Sequence, residues 1–415
     1  MTRVERQIAI LTLAALAAVV FLVIVPKAWG QASAQDPGQI STGPNGVRYV
    51  EDELIVTLKP GASPERAKDV GSRFEARARE TIPSVDARLL SFPDDEGSLG
   101  HIKRTLEENP AVESVDYNYV RELAFTPNDP RFGEQYGLSQ IRASQAWDIT
   151  QGGPSADIAI IDSGIDATHP DLQTNIVLQR NFTTKRPSPD ANDNEGHGTH
   201  VSGIAAAVTN NGKGVAGTCP GCDLIVAKAV AGGGANDADL ADAIEWATNN
   251  GAEVVNLSLG APGSSDVLRD AVNYAWNNGV VVVAAAGNAD TSVKDYPAAY
   301  PNVIAVVATN KYDRRASYSN FGDWVDVAAP GTGIVSTCPP NLPYPDCSPN
   351  GYKTLSGTSM SSPHVAGLAG LLAAQGRTAS GIRSRIQSTA TDLGPDGKDN
   401  YYGHGRINAY RAVGG

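Results

Sequence analysis

The chain has 415 residues, 45 acidic side chains against 33 Lys and Arg, and a formal net charge of -12. That length exceeds one small domain, and the acidic balance argues against a nucleic-acid-binding surface. With only 19% charged residues and 43 glycines, the composition excludes a disordered chain and suits an α/β protein rich in tight turns.

At the N-terminus, Arg3 and Arg6 precede an apolar stretch from Ile8 to Val25, and Ala32-Ser33-Ala34 sets small residues at the -3 and -1 positions. Residues 1–34 therefore read as a secretory signal peptide cut after Ala34, with export of the remainder. The alternative is an uncleaved membrane anchor, since the stretch is long enough to span a bilayer. A polar linker, Gln35 to Val47, follows.

From Arg48 to Leu123 the character changes. Glu53–Leu58 alternates as a strand, and Gly61-Ala62-Ser63-Pro64 caps a charged helix expected to run to about Arg79. Ala87–Phe92 reads as a strand, and Ser98–Glu108 as a helix with Ile102 and Leu106 on one face. Val112–Tyr119 reads as the final strand. The sum is a small α+β unit with antiparallel strands and two helices on one face.

Beyond it, short apolar runs alternate with amphipathic helices. Strands are expected at Ile158–Ile161, Leu224–Ala229, Val254–Ser258, Val280–Ala286 and Val303–Ala308, and helices at Ala238–Asn249 and Val267–Asn277. This alternation predicts right-handed crossovers and a parallel sheet covered on both faces. Ligands of such sheets bind at the carboxyl ends of the strands, where Asp162, Ser258-Leu259-Gly260 and Gly287-Asn288 fall.

Three stretches carry chemistry. Asp162-Ser163-Gly164 ends an apolar strand; alone, Asp162 is a turn or cap residue. His197, between glycines in Gly196-His197-Gly198-Thr199-His200, opens a helix of small residues. The His-x-x-His pair lacks the intervening Glu of a zinc-peptidase helix. Ser359, in Gly357-Thr358-Ser359-Met360-Ser361, stands at the start of an apolar helix. There, unpaired N–H groups favour developing negative charge, although a lone serine in that place is equally an N-cap. The cysteines form two close pairs, Cys219/Cys222 and Cys338/Cys347, expected to be disulfides in an exported protein. A redox Cys-x-x-Cys or half of a zinc site is the alternative for the first.

Taken together and in this order, the three stretches resemble the signatures of the subtilisin family of serine proteases, in particular its secreted thermitase-like members. The resemblance runs from Thr126 to Val413. It implies an α/β fold, a subtilisin-like parallel sheet with helices on both faces, preceded by a small ferredoxin-like α+β prodomain. The expected organisation is residues 1–34 signal peptide, 35–124 linker and inhibitory prodomain, and 125–415 peptidase domain. It implies a secreted endopeptidase of broad specificity, with Ser359 as nucleophile, His197 as base, Asp162 as its orienting carboxylate and Asn288 as oxyanion donor. Ser258, Leu259, Gly260 and Gly287 would bind substrate as an added strand, and the small wall at Ala284–Gly287 suggests a roomy pocket for large apolar side chains.

No cofactor is expected for catalysis. A structural calcium ion is implied, held by Asp129, Asp171 and Asn211 side chains and by the carbonyls of Val208, Lys213 and Val215. Asp190, Asp193 and Glu195 form a second acidic loop. The implied partners are protein and peptide substrates and the chain's own prodomain, which would be cut off between Tyr119 and Phe125. No nucleic acid is expected, and the protein is expected to be a monomer. The competing reading is a catalytically inactive subtilase-fold binding protein; an acyl-transfer enzyme on the same site is a third.

Overall fold

The computed structural model describes residues 40–42, 48–62, 72–93, 98–120, 125–183, 188–342 and 347–415, and the chain divides into two compact units, Met1–Leu123 and Ala124–Gly415. The expected signal peptide and most of the expected cleavage segment before Phe125 lie outside the described residues.

In the first unit the elements are β1 (Ile40–Thr42), β2 (Arg48–Leu58), β3 (Arg77–Ile82), β4 (Ala87–Ser91), α1 (Leu99–Glu107) and β5 (Val112–Tyr119). Every pairing is antiparallel: β5 on β2, β2 on β4, β4 on β3, and β1 against the first residues of β2. Ile102 and Leu106 of α1, one turn apart, bury against Leu54, Val56 and Val115 of the sheet, so a single helix face closes this small core.

Two expectations need correction here. The linker contributes β1, and the charged helix does not reach Arg79. Glu75 takes a positive φ of 51°, and Arg77 already begins β3. Residues 63–71, where that helix would lie, are outside the described set. β3 reads Arg-Ala-Arg-Glu-Thr-Ile and is exposed along nearly its whole length. Its charges are those of an edge strand, where they discourage pairing with other chains, and in sequence they look like an exposed helix face.

The second unit opens with α2 (Tyr136–Gln140) and α3 (Ala143–Trp147), then β6 (Asp157–Asp162), β7 (Ile176–Asn181), α4 (His197–Ala206), β8 (Asp223–Lys228) and α5 (Asp237–Asn249). β9 (Ala252–Leu257), β10 (Ala261–Pro262), α6 (Asp266–Asn277), β11 (Val281–Ala285), β12 (Asp295–Tyr296), β13 (Val303–Thr309) and β14 (Val327–Pro330) follow. The chain ends with β15 (Ile334–Thr337), β16 (Tyr352–Leu355), α7 (Thr358–Ala374), α8 (Ala379–Ser388) and α9 (Ala409–Val413).

Seven strands form one parallel sheet in the order β14-β13-β11-β9-β6-β8-β7. Side chains alternate between its faces, as strand geometry requires. Ile158 and Ile160 of β6 share a core with α4 and α7, while Ala159 and Ile161 pack with α5 and α6. Both faces are thus covered, and the strands read as continuous apolar runs for that reason. The two strands not anticipated, β7 and β14, are the sheet edges; β7 is only half-buried, and β14 has four residues ending in Pro330.

α7 is apolar on every side and, from Thr358 to Leu372, buried at every position except Ser359. Leu368, Leu371 and Leu372 have no exposed surface, and each contributes roughly 1.5–3 kcal/mol of burial. This anchoring fixes the helix beneath the carboxyl ends of the strands. β6 is the first strand of the sheet in sequence. Later strands build outward from it on both sides, which makes the junction of β6 and β9 the topological switch point.

Candidate active site

Asp162 is the last residue of β6 and only 1% exposed. Its Oδ1 lies 2.8 Å from His197 Nδ1 and also accepts the Ser163 N–H at 2.7 Å. His197 opens α4, and the loop before that helix is held by Asp193. One Asp193 oxygen accepts Ser163 Oγ (2.9 Å), Glu195 N–H (3.0 Å) and Gly196 N–H (2.8 Å). The other accepts Thr199 N–H (2.9 Å) and Thr199 Oγ1 (2.6 Å) in the first turn of α4. Ser163 Oγ in turn accepts Gly198 N–H at 2.9 Å. A carboxylate capping a helix N-terminus is favourable, and here it also ties the strand bearing Asp162 to the helix bearing His197.

Burial pulls the His197 imidazole down, but the charge and hydrogen bond of Asp162, joined by the charges of Asp193 and Glu195, outweigh it, leaving the pKa above the ordinary 6.5. His200, one turn on, is fully buried with Nε2 at 3.2 Å from the Lys353 carbonyl, and burial pulls it down to about 3. It is a neutral core residue, and the two histidines do not form a metal pair.

Ser359 stands in the first turn of α7. Two features of the sequence fix it. Pro363 has no N–H to donate to the Ser359 carbonyl four residues earlier; Ser258 Oγ donates to that carbonyl instead, at 2.9 Å. The Ser258 carbonyl accepts Ser359 Oγ, also at 2.9 Å. A buried chain continues the link: Asn256 Nδ2 donates to Ser258 Oγ (2.9 Å), and Ser362 Oγ donates to Asn256 Oδ1 (2.6 Å). Asn256, in the middle of an apolar strand, was not anticipated; a fully buried amide within Val-Val-Asn-Leu is the signal that could have found it.

Asn288 follows β11 through Gly287. Its Oδ1 accepts Thr358 N–H (2.8 Å) and Thr358 Oγ1 (3.0 Å), which fixes the amide flat against the start of α7 and leaves Nδ2 as the free donor end. The four expected catalytic residues open on one cleft of ≈ 370 Å³ at the switch point. Asp162, His197, Ser359 and Asn288 line it together with Ser258, Leu259, Gly260 and Gly287. The cleft also holds two carboxylates outside the expected set, Glu195 and Asp295.

The residues expected at a cation site converge elsewhere in this unit. Asn210 N–H donates to Asp129 Oδ2 at 2.6 Å, and Asn211 Nδ2 donates to Asp171 Oδ1 at 3.0 Å. Asp171 Oδ2 accepts Val215 N–H at 2.9 Å and Tyr352 Oη at 2.9 Å. Val208 contacts the Asp171 carbonyl through its N–H, and Lys213 contacts Asn211 Oδ1 through its N–H. Both carboxylates are buried, and neither forms an ion pair with a cationic side chain among the described residues. Burial first, and the charge of Asp171 second, push Asp129 up. Two buried carboxylates without an ion-pair partner among the described residues supply hard oxygen atoms of the kind calcium takes. Asp193, by contrast, is consumed as a helix cap. Cys219 is joined to Cys222 and Cys338 to Cys347.

Comparison with known proteins gives the same answer from two directions. Residues 153–405 match the model of the subtilase family, and residues 35–118 match that of the fervidolysin N-terminal prodomain. A thermophilic serine proteinase from Bacillus sp. (strain AK1) is 42% identical over 397 residues, covering 95% of each chain. Thermitase from Thermoactinomyces vulgaris is 47% identical over 291 residues, which is 70% of this chain and 99% of the relative. A solved protease structure from Pseudoalteromonas arctica PAMC 21717 superposes with a TM-score of 0.63 at 32% identity, covering 70% of this chain and 99% of that one. A carboxylate, an imidazole and a hydroxyl brought to one cleft at the switch point of a seven-stranded parallel sheet thus sit in a framework shared with these enzymes. The chain belongs to the subtilase family and is a subtilisin-type serine endopeptidase carrying an N-terminal prodomain.

Proposed function

We propose that the protein is a secreted endopeptidase that hydrolyses peptide bonds of proteins through an acyl-enzyme on Ser359. The observation that carries this reading is the 2.8 Å Asp162–His197 hydrogen bond opening onto the cleft that also exposes Ser359. Asp162 holds Nδ1 protonated, so the free Nε2 is the base. The Ser359 hydroxyl turns from the Ser258 carbonyl to Nε2, gives up its proton there and attacks the substrate carbonyl carbon. The oxyanion is met by Asn288 Nδ2 and the Ser359 N–H, donors already oriented before the charge develops. Collapse breaks the C–N bond, and His197 returns the proton to the leaving amine. Water then repeats the sequence and releases the acid. The edge Ser258–Gly260 would receive the substrate main chain as a strand, giving affinity with broad sequence tolerance.

In this reading the first unit is an inhibitor made in the same chain, removed by the enzyme itself between Tyr119 and Phe125 after export directed by residues 1–34. Calcium would be held by Asp129, Asp171 and Asn211 with main-chain oxygens of Val208, Lys213 and Val215, neutralising two buried carboxylates. The test is refolding of the full chain and of Ser359→Ala with labelled casein. Hydrolysis and release of a fragment beginning near Phe125 are expected for the first, and an intact, inactive precursor for the second. Casein left intact by a folded wild-type chain would overturn the reading in favour of a binding scaffold.

A further inference from the structure

The mechanism uses one of the three carboxylates in the cleft and leaves the Asp295 side chain without a task. Asp295 is 8% exposed and lies on β12, held opposite Pro262 of β10 by antiparallel pairing. Its place can be read from the glycines around it. A Cβ on Gly287 would fall 2.0 Å from Asp295 Oδ2, and one on Gly260 would fall 3.7 Å from Asp295 Cβ. The carboxylate therefore sits against the bare backbone of Gly287, and the Asp295 Cβ lies beside Gly260, both glycines being residues that line the cleft.

Asn320 Nδ2 donates to Asp295 Oδ2 at 3.2 Å. That amide is itself fixed, because Nδ2 also meets the Ala286 carbonyl at 3.0 Å and Oδ1 accepts Ala289 N–H at 2.9 Å. Among the described residues no Lys, Arg or His forms an ion pair with Asp295, and no Lys or Arg lines the cleft. Glu195, accepting Gly233 N–H at 3.1 Å on another part of the lining, adds a further negative charge. A buried carboxylate with one neutral donor is left short of countercharge.

We propose that Asp295 sets substrate specificity, its carboxylate at the floor of the cleft selecting a lysine or arginine side chain immediately before the scissile bond. This rests on the endopeptidase reading above. With the substrate main chain on Ser258–Gly260 and its carbonyl at Ser359, the adjoining side chain enters between Gly260 and Gly287, the two residues that Asp295 touches. The aliphatic stem of a lysine would run along the wall expected at Ala284–Gly287, and its ammonium would reach the carboxylate. The expected apolar pocket is thus kept for the stem and given an acidic end. Burial, the one cause acting on this group, pushes the Asp295 carboxyl up, and an arriving cation offsets that cost.

The test compares kcat/KM of the matured enzyme on three peptide anilides that differ only in lysine, norleucine or glutamate at the cleaved residue. Norleucine keeps the stem and removes the charge. In the wild type lysine should exceed norleucine by about tenfold or more, as a charge-assisted hydrogen bond implies, with glutamate last. In Asp295→Asn the lysine-to-norleucine ratio should fall to near one. A wild type that cleaves norleucine as well as lysine overturns the proposal without any variant, and an unchanged ratio in Asp295→Asn overturns it as well. Cleavage of norleucine alone would leave the endopeptidase reading intact; cleavage of none of the three would remove both.

Discussion

At the scale of single residues, the charge state of His197 governs when the cleft can act. The base must be neutral, so activity rises as pH increases through the His197 pKa. Asp162 stabilises the imidazolium and holds that pKa above 6.5 against the opposing effect of burial. The acidic limb of kcat/KM should therefore have its midpoint above 6.5. Asp162→Asn removes the largest of the raising effects and leaves only the weaker charges of Asp193 and Glu195 against burial, so the midpoint should move down while the rate falls by about 10⁴-fold, the scale found when such carboxylates are removed from serine proteases. A pH–rate profile of the two forms on one peptide anilide checks this; an upward shift in the variant would refute the assignment. Asp162, His197, Ser359 and Asn288 were expected from the sequence because the stretches that carry them together resemble the signatures of the subtilisin family, whereas each alone reads as a turn or cap residue. Asn256 and Asp295 were not expected: the one links Ser258, two positions on, to Ser362, 106 positions away, and the other reaches the cleft through a two-residue strand.

At the scale of elements, apolar periodicity located what is buried and missed what lies at an edge. β6, β8, β9, β11 and β13 are fully buried or nearly so and announced themselves as apolar runs. β7, with Gln179 and Arg180, and β3, with two arginines and a glutamate, carry edge composition that mimics loop or helix. α7 shows how an element can be both anchor and reagent. Its apolar body is closed on every side, while its first turn is opened by Pro363, which frees the Ser359 carbonyl for the Ser258 hydroxyl. The same proline would break a helix elsewhere. Here it allows the nucleophile to be fastened to the end of β9, across the switch point. Asp193 gives α4 a comparable fastening to β6, so both helices that present reactive groups are pinned to neighbouring strands by side-chain hydrogen bonds.

At the scale of the whole molecule, the peptidase unit gathers Asp129 from its N-terminal segment, Asp171 from the loop before β7 and the 208–215 loop into one acidic cluster. Tyr352 adds its hydroxyl from β16. Bringing these distant segments together leaves two buried carboxylates to be neutralised, which is the physical case for calcium as a global stabiliser. Calcium binding to the folded state at one hundred times its dissociation constant adds about 2.7 kcal/mol. Thermal unfolding should therefore occur several degrees higher in calcium than in chelator, and Asp171→Asn should abolish the difference. Equal unfolding temperatures in wild type would set the calcium proposal aside. Two disulfides, Cys219–Cys222 and Cys338–Cys347, suit the oxidising compartment that the N-terminal segment predicts.

One hydroxyl, that of Ser359, is the proposed nucleophile. A sulfonyl fluoride reacts with an activated serine and leaves ordinary serines untouched, so the direct measurement is mass spectrometry of the treated enzyme alongside its remaining peptide hydrolysis. One adduct per chain is expected, on the peptide containing Ser359, with hydrolysis lost in proportion to labelling. An adduct on another serine, or full labelling of Ser359 with hydrolysis undiminished, would contradict it.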